Sequence, residues 1–307
     1  NWIVEPFTSP YMEHLLVGDL SKGPRGTNQF GFVDAEYVPP EYLKGNLAES
    51  WQMTDPTTIV FKLRKGIMWQ DRPGVMAARE FTADDVAFTF NRLVASPKSQ
   101  PSHYFLAGAS AQDKYTAVVK LKQYNANWLT MIGYGYYCGI YPPELVKAGI
   151  NLWQNATGTG PFILKSYVSG ASLTYEKNPN YWGTTTIGGK EYKLPFVDKL
   201  SWPIMVDEST QLAALRTGKI DMAASFRWIY KDTLAQSNPE LVRWKWRASG
   251  FHAIALRCDT KPFDDVKVRR ALSMAVDREN FTKSLLGGEG TSVSGPFWPD
   301  WPETLYT

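Results

Sequence analysis

Two hydrophobic periods lie close together early in this chain, and they restrict its fold more than any other feature. In TTIVFKLRKGIMW, residues 57–69, Ile59, Phe61 and Leu63 alternate with Val60, Lys62 and Arg64. That is the period of two expected of a strand. Lys65-Gly66 then predicts a turn into Ile67-Met68-Trp69, a hairpin. In REFTADDVAFTFNRLV, residues 79–94, Val86, Phe90 and Leu93 recur on one face at helical spacing. Thr82 is placed as the N-cap, and Asp85 three residues on makes a variant of the capping box. Phe81 and Val86 are placed for a hydrophobic staple. Asp84 and Asp85 suit the positive end of a helix. Being adjacent on that helix they point apart, which argues against a catalytic carboxylate pair there.

The rest of the chain mixes the two periods without regular alternation, which indicates an α/β or α+β class. YTAVVKLK and FILKSYVSGASLTYEKN read as strands, the second folding back at Ser169-Gly170. DKLSWPIMVDESTQLAALRTGKIDMA reads strand, helix, strand, with Asp207 as cap, Leu212 and Leu215 as apolar face and Gly218 as stop. DDVKVRRALSMAVDRENFTKSLLGG reads as two short helices capped by Asp265 and Asp277, the second stopped by Gly287. No internal repeat or low-complexity tract is present.

Most enzyme chemistries find no support. GTGPFI, residues 158–163, has the glycines of a phosphate loop, but Pro161 removes a donor and a strand follows instead of a helix. GYGYYCG, residues 133–139, lacks a Lys-Ser/Thr partner, and no GxSxG exists. The three histidines, His14, His103 and His252, have no metal-ligand spacing. Two facing carboxylates, as in a glycoside hydrolase, stay open as the enzyme alternative. The net charge of +3 without a basic run argues against nucleic acid. Two cysteines, Cys138 and Cys258, read as small buried thiols, with one disulfide left open. Aromatics stand out at 14% of residues, which suits either a recognition cleft or core packing. The opening NWIVEPFTSPYMEHLL enters mid-pattern, so the sequence reads as trimmed at both ends.

LAESW (47–51), FKLRKGIMWQD (61–71), FTADDVAFTFNRL (81–93), GTGPF (158–162), NPNYW (178–182), LRTGKIDM (215–222) and KPFDDVKVRRALSMAVDREN (261–280) occur in this order. As an ordered set they resemble the extracytoplasmic solute-binding proteins of ABC transporters, family 5, the dipeptide and oligopeptide class. RPGVMAARE, residues 72–80, looks like a longer version of a loop found in some subgroups.

The resemblance implies an α/β, two-lobed periplasmic-binding-protein-like fold of type II, with the second lobe largely absent from this chain. It implies a first lobe from residues 1–51 and 158–247, an inserted subdomain from 52–157, and a hinge crossing with the start of the second lobe from 248–307. GTGPF would be scaffold, with Gly158 and Gly160 allowing a tight return of the chain, Pro161 starting a strand and Tyr181-Trp182 packing behind the Asn178-Pro179 turn. The implied function is capture of a peptide between hinged lobes and delivery to a permease, by a monomer with no catalytic residue, metal or cofactor. An oligosaccharide is the rival ligand, and a carbohydrate-active hydrolase the rival class. The location is periplasmic or extracytoplasmic; a lipid anchor is left open, and no signal sequence is present in this chain.

Thr8, Ser9 and Pro10 match an early loop bordering the cleft in relatives. Tyr134, Tyr136 and Tyr137 form a Gly-rich aromatic loop that faces either ligand or core. ASGFHAIAL, residues 248–256, would be an extended, buried crossing, with Gly250 at the hinge and Phe251 and His252 on opposite faces. His252 fits either a structural hydrogen bond or ligand contact.

Overall fold

The computed structural model describes residues 5–24, 26–32, 38–135, 138–223, 226–243 and 254–290. It divides into two compact units, residues 1–204 and 205–307. In chain order the first unit contains α1 (Glu5–Thr8), β1 (Leu16–Gly18), β2 (Leu43–Gly45), β3 (Ala48–Asp55), β4 (Thr58–Leu63), α2 (Ala83–Ala95), α3 (Gln100–His103), β5 (Leu106–Asp113) and β6 (Thr116–Leu121). It continues with α4 (Pro143–Ala148), β7 (Phe162–Val168), β8 (Ser172–Lys177), β9 (Thr184–Ile187), β10 (Lys190–Lys193) and β11 (Lys199–Pro203). The second unit contains α5 (Glu208–Arg216), α6 (Lys231–Ser237), α7 (Val266–Ala275) and α8 (Arg278–Leu286).

The first unit is built on two larger antiparallel sheets. One runs β3-β4-β6-β5, with α2 packed on β5 and β6. The alternation read in β4 is real: Ile59, Phe61 and Leu63 are buried while Lys62 is exposed. They meet Val86 and Phe90 of α2, Ala117 and Val119 of β6, and Leu15, Leu16, Phe81 and Phe105 in one apolar cluster. Burying each large side chain there contributes about 1.5–3 kcal/mol. The other sheet runs β11-β8-β7, and its Phe162, Leu164 and Tyr175 form a second, smaller cluster. Gly170, at φ +71°, makes the turn between β7 and β8 where the sequence placed it.

The expected Lys65-Gly66 hairpin is not formed, although Gly66 does turn the chain at φ +75°. Both sides of β4 are already occupied by β3 and β6. Residues 67–69 therefore travel to residues 79–81: Met68 bridges Glu80, Trp69 N–H donates to the Arg79 carbonyl at 2.8 Å, and Phe81 N–H donates to the Ile67 carbonyl at 2.8 Å. The RPGVMAARE loop closes on itself, with Arg72 and Met76 exchanging both backbone hydrogen bonds.

In the second unit, Asp207, Asp265 and Asp277 accept from Thr210, Lys267 and Asn280 N–H, so all three caps are as read. Gly218 and Gly287 take positive φ just after their helices. The strand expected after α5 is not formed in the described residues 219–223, which pair with no other described strand. Residues 254–257 are likewise not a strand, and Ile254 is 82% exposed, against the buried crossing expected there. Residues 248–253 lie outside the described residues. Cys138 is a buried free thiol as expected, but Cys258 is exposed.

The start of α2 carries more than a cap. Asp85 accepts from Thr82 N–H (3.0 Å), from Trp69 Nε1–H (2.9 Å) and from both terminal nitrogens of Arg79 (3.0 and 2.6 Å). Arg79 also donates to both carboxylate oxygens of Glu144 on α4 at 2.7 and 2.8 Å. Asp85→Ala should therefore cost about 2–4 kcal/mol, because it strands buried donors. Thr82→Ala should cost about 1 kcal/mol, the usual loss for a cap. Denaturant unfolding of both variants checks this, and equal losses would mean that the Trp69 and Arg79 bonds to Asp85 contribute nothing net.

Candidate functional site

Residues 10–16 form a line on which the rest of the first unit converges. Tyr11 packs against the smaller apolar cluster, and Leu15 and Leu16 belong to the larger one. From one direction Phe162 N–H donates to the Pro10 carbonyl and Gly160 N–H to the Tyr11 carbonyl, each at 2.9 Å. From another, Ile140 N–H donates to the Glu13 carbonyl at 3.0 Å, and Asn46 and Ala48 N–H donate to the Leu15 carbonyl, each at 3.0 Å.

The GTGPF stretch is scaffold, as expected. A Cβ on Gly158 would lie 1.8 Å from the Tyr11 carbonyl oxygen, and one on Gly160 would lie 2.9 Å from the Pro10 carbonyl oxygen. Gln70 locks the same turn: its side-chain amide donates to the carbonyls of Gly160 (3.1 Å) and Phe162 (2.8 Å), and its N–H donates to that of Gly158 (3.0 Å). Asn178 also donates to the Gly160 carbonyl, at 3.0 Å. The Asn178-Pro179 turn then aims Tyr181 and Trp182 at Glu13. Tyr181 Oη–H and Trp182 Nε1–H each donate to one Glu13 carboxylate oxygen at 3.0 Å. The Arg64 guanidinium covers the Trp182 ring at 4.8 Å.

Sequence reading missed Glu13. Its signal was an acid in the largely apolar stretch YMEHLL, which requires polar partners wherever that segment is buried. Burial pushes the Glu13 carboxyl above its ordinary value, against the opposing hydrogen bonds from Trp182 and Tyr181. Burial pushes its neighbour His14 down to about 4.

Thr8 ends α1, and its carbonyl accepts from Tyr11 and Met12 N–H at 3.0 and 2.8 Å. Ser9 is exposed and Pro10 buried, so the three sit where α1 turns into the central line. Tyr134 follows a π-helical turn, Leu129–Gly133, and is buried, with its hydroxyl on the backbone of Val38. That is the core alternative for this residue. Tyr136, Tyr137, Gly250, Phe251 and His252 lie outside the described residues. In the second unit, Lys261, Pro262, Asp264, Asp265 and Val268 line an open depression beside the start of α7. Among the described residues no group of three or more His, Cys, Asp or Glu could hold a metal ion, and no helix is long and apolar enough to cross a membrane.

Two outcomes follow from this geometry. Gly158→Ala should destabilise by about 2 kcal/mol or more, because backbone and not a flexible side chain blocks the new methyl; an unchanged melting temperature would contradict the packing. The neutral form of His14 is the one that folding favours, so its contribution is present above pH 6.5 and is lost as pH falls from 6.5 towards 4. Glu13 acts in the opposite sense, since its raised value favours the folded protein as pH falls. Relative to His14→Gln, the wild type should lose about 3 kcal/mol across that range. Parallel unfolding curves at each pH isolate the His14 effect, and a constant difference between the two proteins would contradict it.

The chain is 29% identical over 288 residues to Heme-binding protein A of Haemophilus influenzae, covering 84% of this chain and 50% of that protein. It is 28% identical over 298 residues to the Dipeptide-binding protein of Escherichia coli, covering 86% and 50%. It matches the structure of the ABC transporter-associated periplasmic binding protein DppA from Helicobacter pylori in complex with peptide STSA, with TM-score 0.72 and 22% identity over 92% of this chain and 54% of that one. That likeness shows a shared periplasmic-binding-protein fold, and the chain spans about half the length of these relatives. Residues 43–306 match the family described as Bacterial extracellular solute-binding proteins, family 5 Middle. With a match across most of its length, the chain belongs to the family 5 extracellular solute-binding proteins.

Proposed function

We propose that the full-length protein is the ligand-capturing component of an ABC importer, binding a short peptide between two hinged lobes and handing it to a membrane permease. The observation that carries this reading is family membership together with the ligands named for its relatives. Dipeptide- and di/tripeptide-binding proteins recur among them, and several matched structures hold a peptide. Such a protein performs no chemical step. It works by differential contacts to its closed state, as a monomer outside the cytoplasm. Peptides suit such capture because their main chain offers the same donors and acceptors whatever the side chains.

In this reading residues 1–51 and 158–247 form the first lobe, 52–157 its inserted subdomain, and 248–307 the crossing into the second lobe. Thr8, Ser9 and Pro10 border the cleft. They are backed by the central line and its glycine contacts, a rigid support suited to a binding loop. Tyr136, Tyr137, Phe251 and His252 are further candidates for contact, and Gly250 is the hinge. A heme is the second reading, favoured by the similarity to Heme-binding protein A.

Calorimetry of the full-length protein with di- and tripeptides, heme and an oligosaccharide tests the assignment. A peptide should bind, be recovered intact and raise the melting temperature. Binding of heme alone would replace the peptide reading, and hydrolysis of an oligosaccharide would overturn the whole class. Gly250→Pro should weaken binding at least tenfold with little change in melting temperature, because it removes torsional freedom where motion is needed. Wild-type affinity in that variant, with ligand-induced contraction still seen by small-angle scattering, would show that the hinge lies elsewhere.

A further inference from the structure

The loop of Thr8, Ser9 and Pro10 begins on an element too short to hold itself. α1 has four residues, and an isolated helix below about 12 residues is marginal in water. Past α1 the chain is held by backbone: the Thr8 carbonyl accepts from Tyr11 and Met12, the Pro10 carbonyl from Phe162 and the Tyr11 carbonyl from Gly160. The Phe7 carbonyl is held by a side chain instead. Tyr175 Oη–H donates to it at 2.8 Å, across 168 positions of sequence. Tyr175 is fully buried on β8, the central strand of β11-β8-β7, directly opposite Leu164 of β7 and Leu200 of β11. The Phe7 ring rests edge-on against Trp202 of β11, with centroids 5.4 Å apart. Trp202 lies opposite Leu173, two residues before Tyr175. Both anchors of Phe7 therefore come from successive rungs on one face of one sheet.

We propose that Tyr175 is a positioning residue for ligand capture: its hydroxyl, with Trp202 as second anchor, holds α1 so that Thr8, Ser9 and Pro10 meet the ligand already ordered. This rests on the reading that those three residues border the cleft. The exposed Ser9 stands between the held carbonyls of Thr8 and Pro10. A loop fixed in this way adds no ordering cost to binding. Burial keeps the Tyr175 hydroxyl above its ordinary value, so it stays protonated and a donor. Tyr175→Phe keeps the ring, and with it the sheet, and removes only the tether.

The test uses the full-length protein and a mixed library of di- and tripeptides. Native mass spectrometry identifies a retained peptide, and calorimetry then titrates it. Tyr175→Phe should weaken its binding about fivefold, the equivalent of one net hydrogen bond. The Tyr11 and Met12 amides, which close on the Thr8 carbonyl, should exchange about fivefold faster in the free variant through a local opening. They should return to the wild-type rate at saturating peptide, which a general loss of stability would not produce. Thr82→Ala, with a similar loss of stability, should bind as wild type. Ser9→Trp should abolish binding by filling the cleft. If Ser9→Trp abolishes binding while Tyr175→Phe binds as wild type, the positioning role is overturned and the cleft reading stands. Weakened binding in Thr82→Ala equal to that in Tyr175→Phe would also overturn it. If Ser9→Trp binds as wild type, or the wild type retains no peptide, the reading of the loop fails and this proposal with it.

Discussion

The first unit depends on a backbone-to-backbone approach that no side chain could share. Gly158 and Gly160 lie directly against Tyr11 and Pro10, and the hydrogen bonds from Gly160 and Phe162 to that line exist only because of it. Other contacts are ordered around this one. Gln70 and Asn178 read the carbonyls that the glycine turn presents, and β7 starts at Phe162, whose N–H is held by the Pro10 carbonyl. Both apolar clusters touch the same short line, Tyr11 in one and Leu15-Leu16 in the other. The line is where the two sheets of the unit are tied together.

Charge reinforces that tie at a cost. A buried carboxylate needs donors, and Glu13 takes Tyr181 and Trp182, which draws the Asn178-Pro179 turn onto the central line. His14, next in sequence, is held neutral by burial. Arg79 is treated differently: it is partly exposed and spread over two carboxylates, Asp85 and Glu144, joining the starts of α2 and α4. Such a bidentate arrangement fixes orientation as well as contributing energy. These polar groups position elements, while the apolar clusters supply most of the driving force.

Local features were legible in the sequence. The α2 capping box, the β4 alternation, the Gly170 turn and the aspartate caps of α5, α7 and α8 each depend on residues a few positions apart. Pairing was not legible. Ile67-Met68-Trp69 has strand chemistry, and only the occupation of both sides of β4 sends it to residues 79–81 instead. The site was legible in outline, through the scaffold role of GTGPF. Glu13 was missed because its partners lie some 170 positions away. A short acid-containing stretch also reads equally well as exposed or buried.

The claim that residues 10–16 bind the unit into one cooperative body is open to direct measurement by native-state hydrogen exchange. In the full-length protein the amides of Ala48, Ile140, Gly160 and Phe162 all donate to this line. They should exchange through the same opening, with free energies that match one another and that of Val119 in the centre of the larger core. Gly160 and Phe162 exchanging through a separate opening, several kcal/mol lower than that of Ala48 and Val119, would contradict the account.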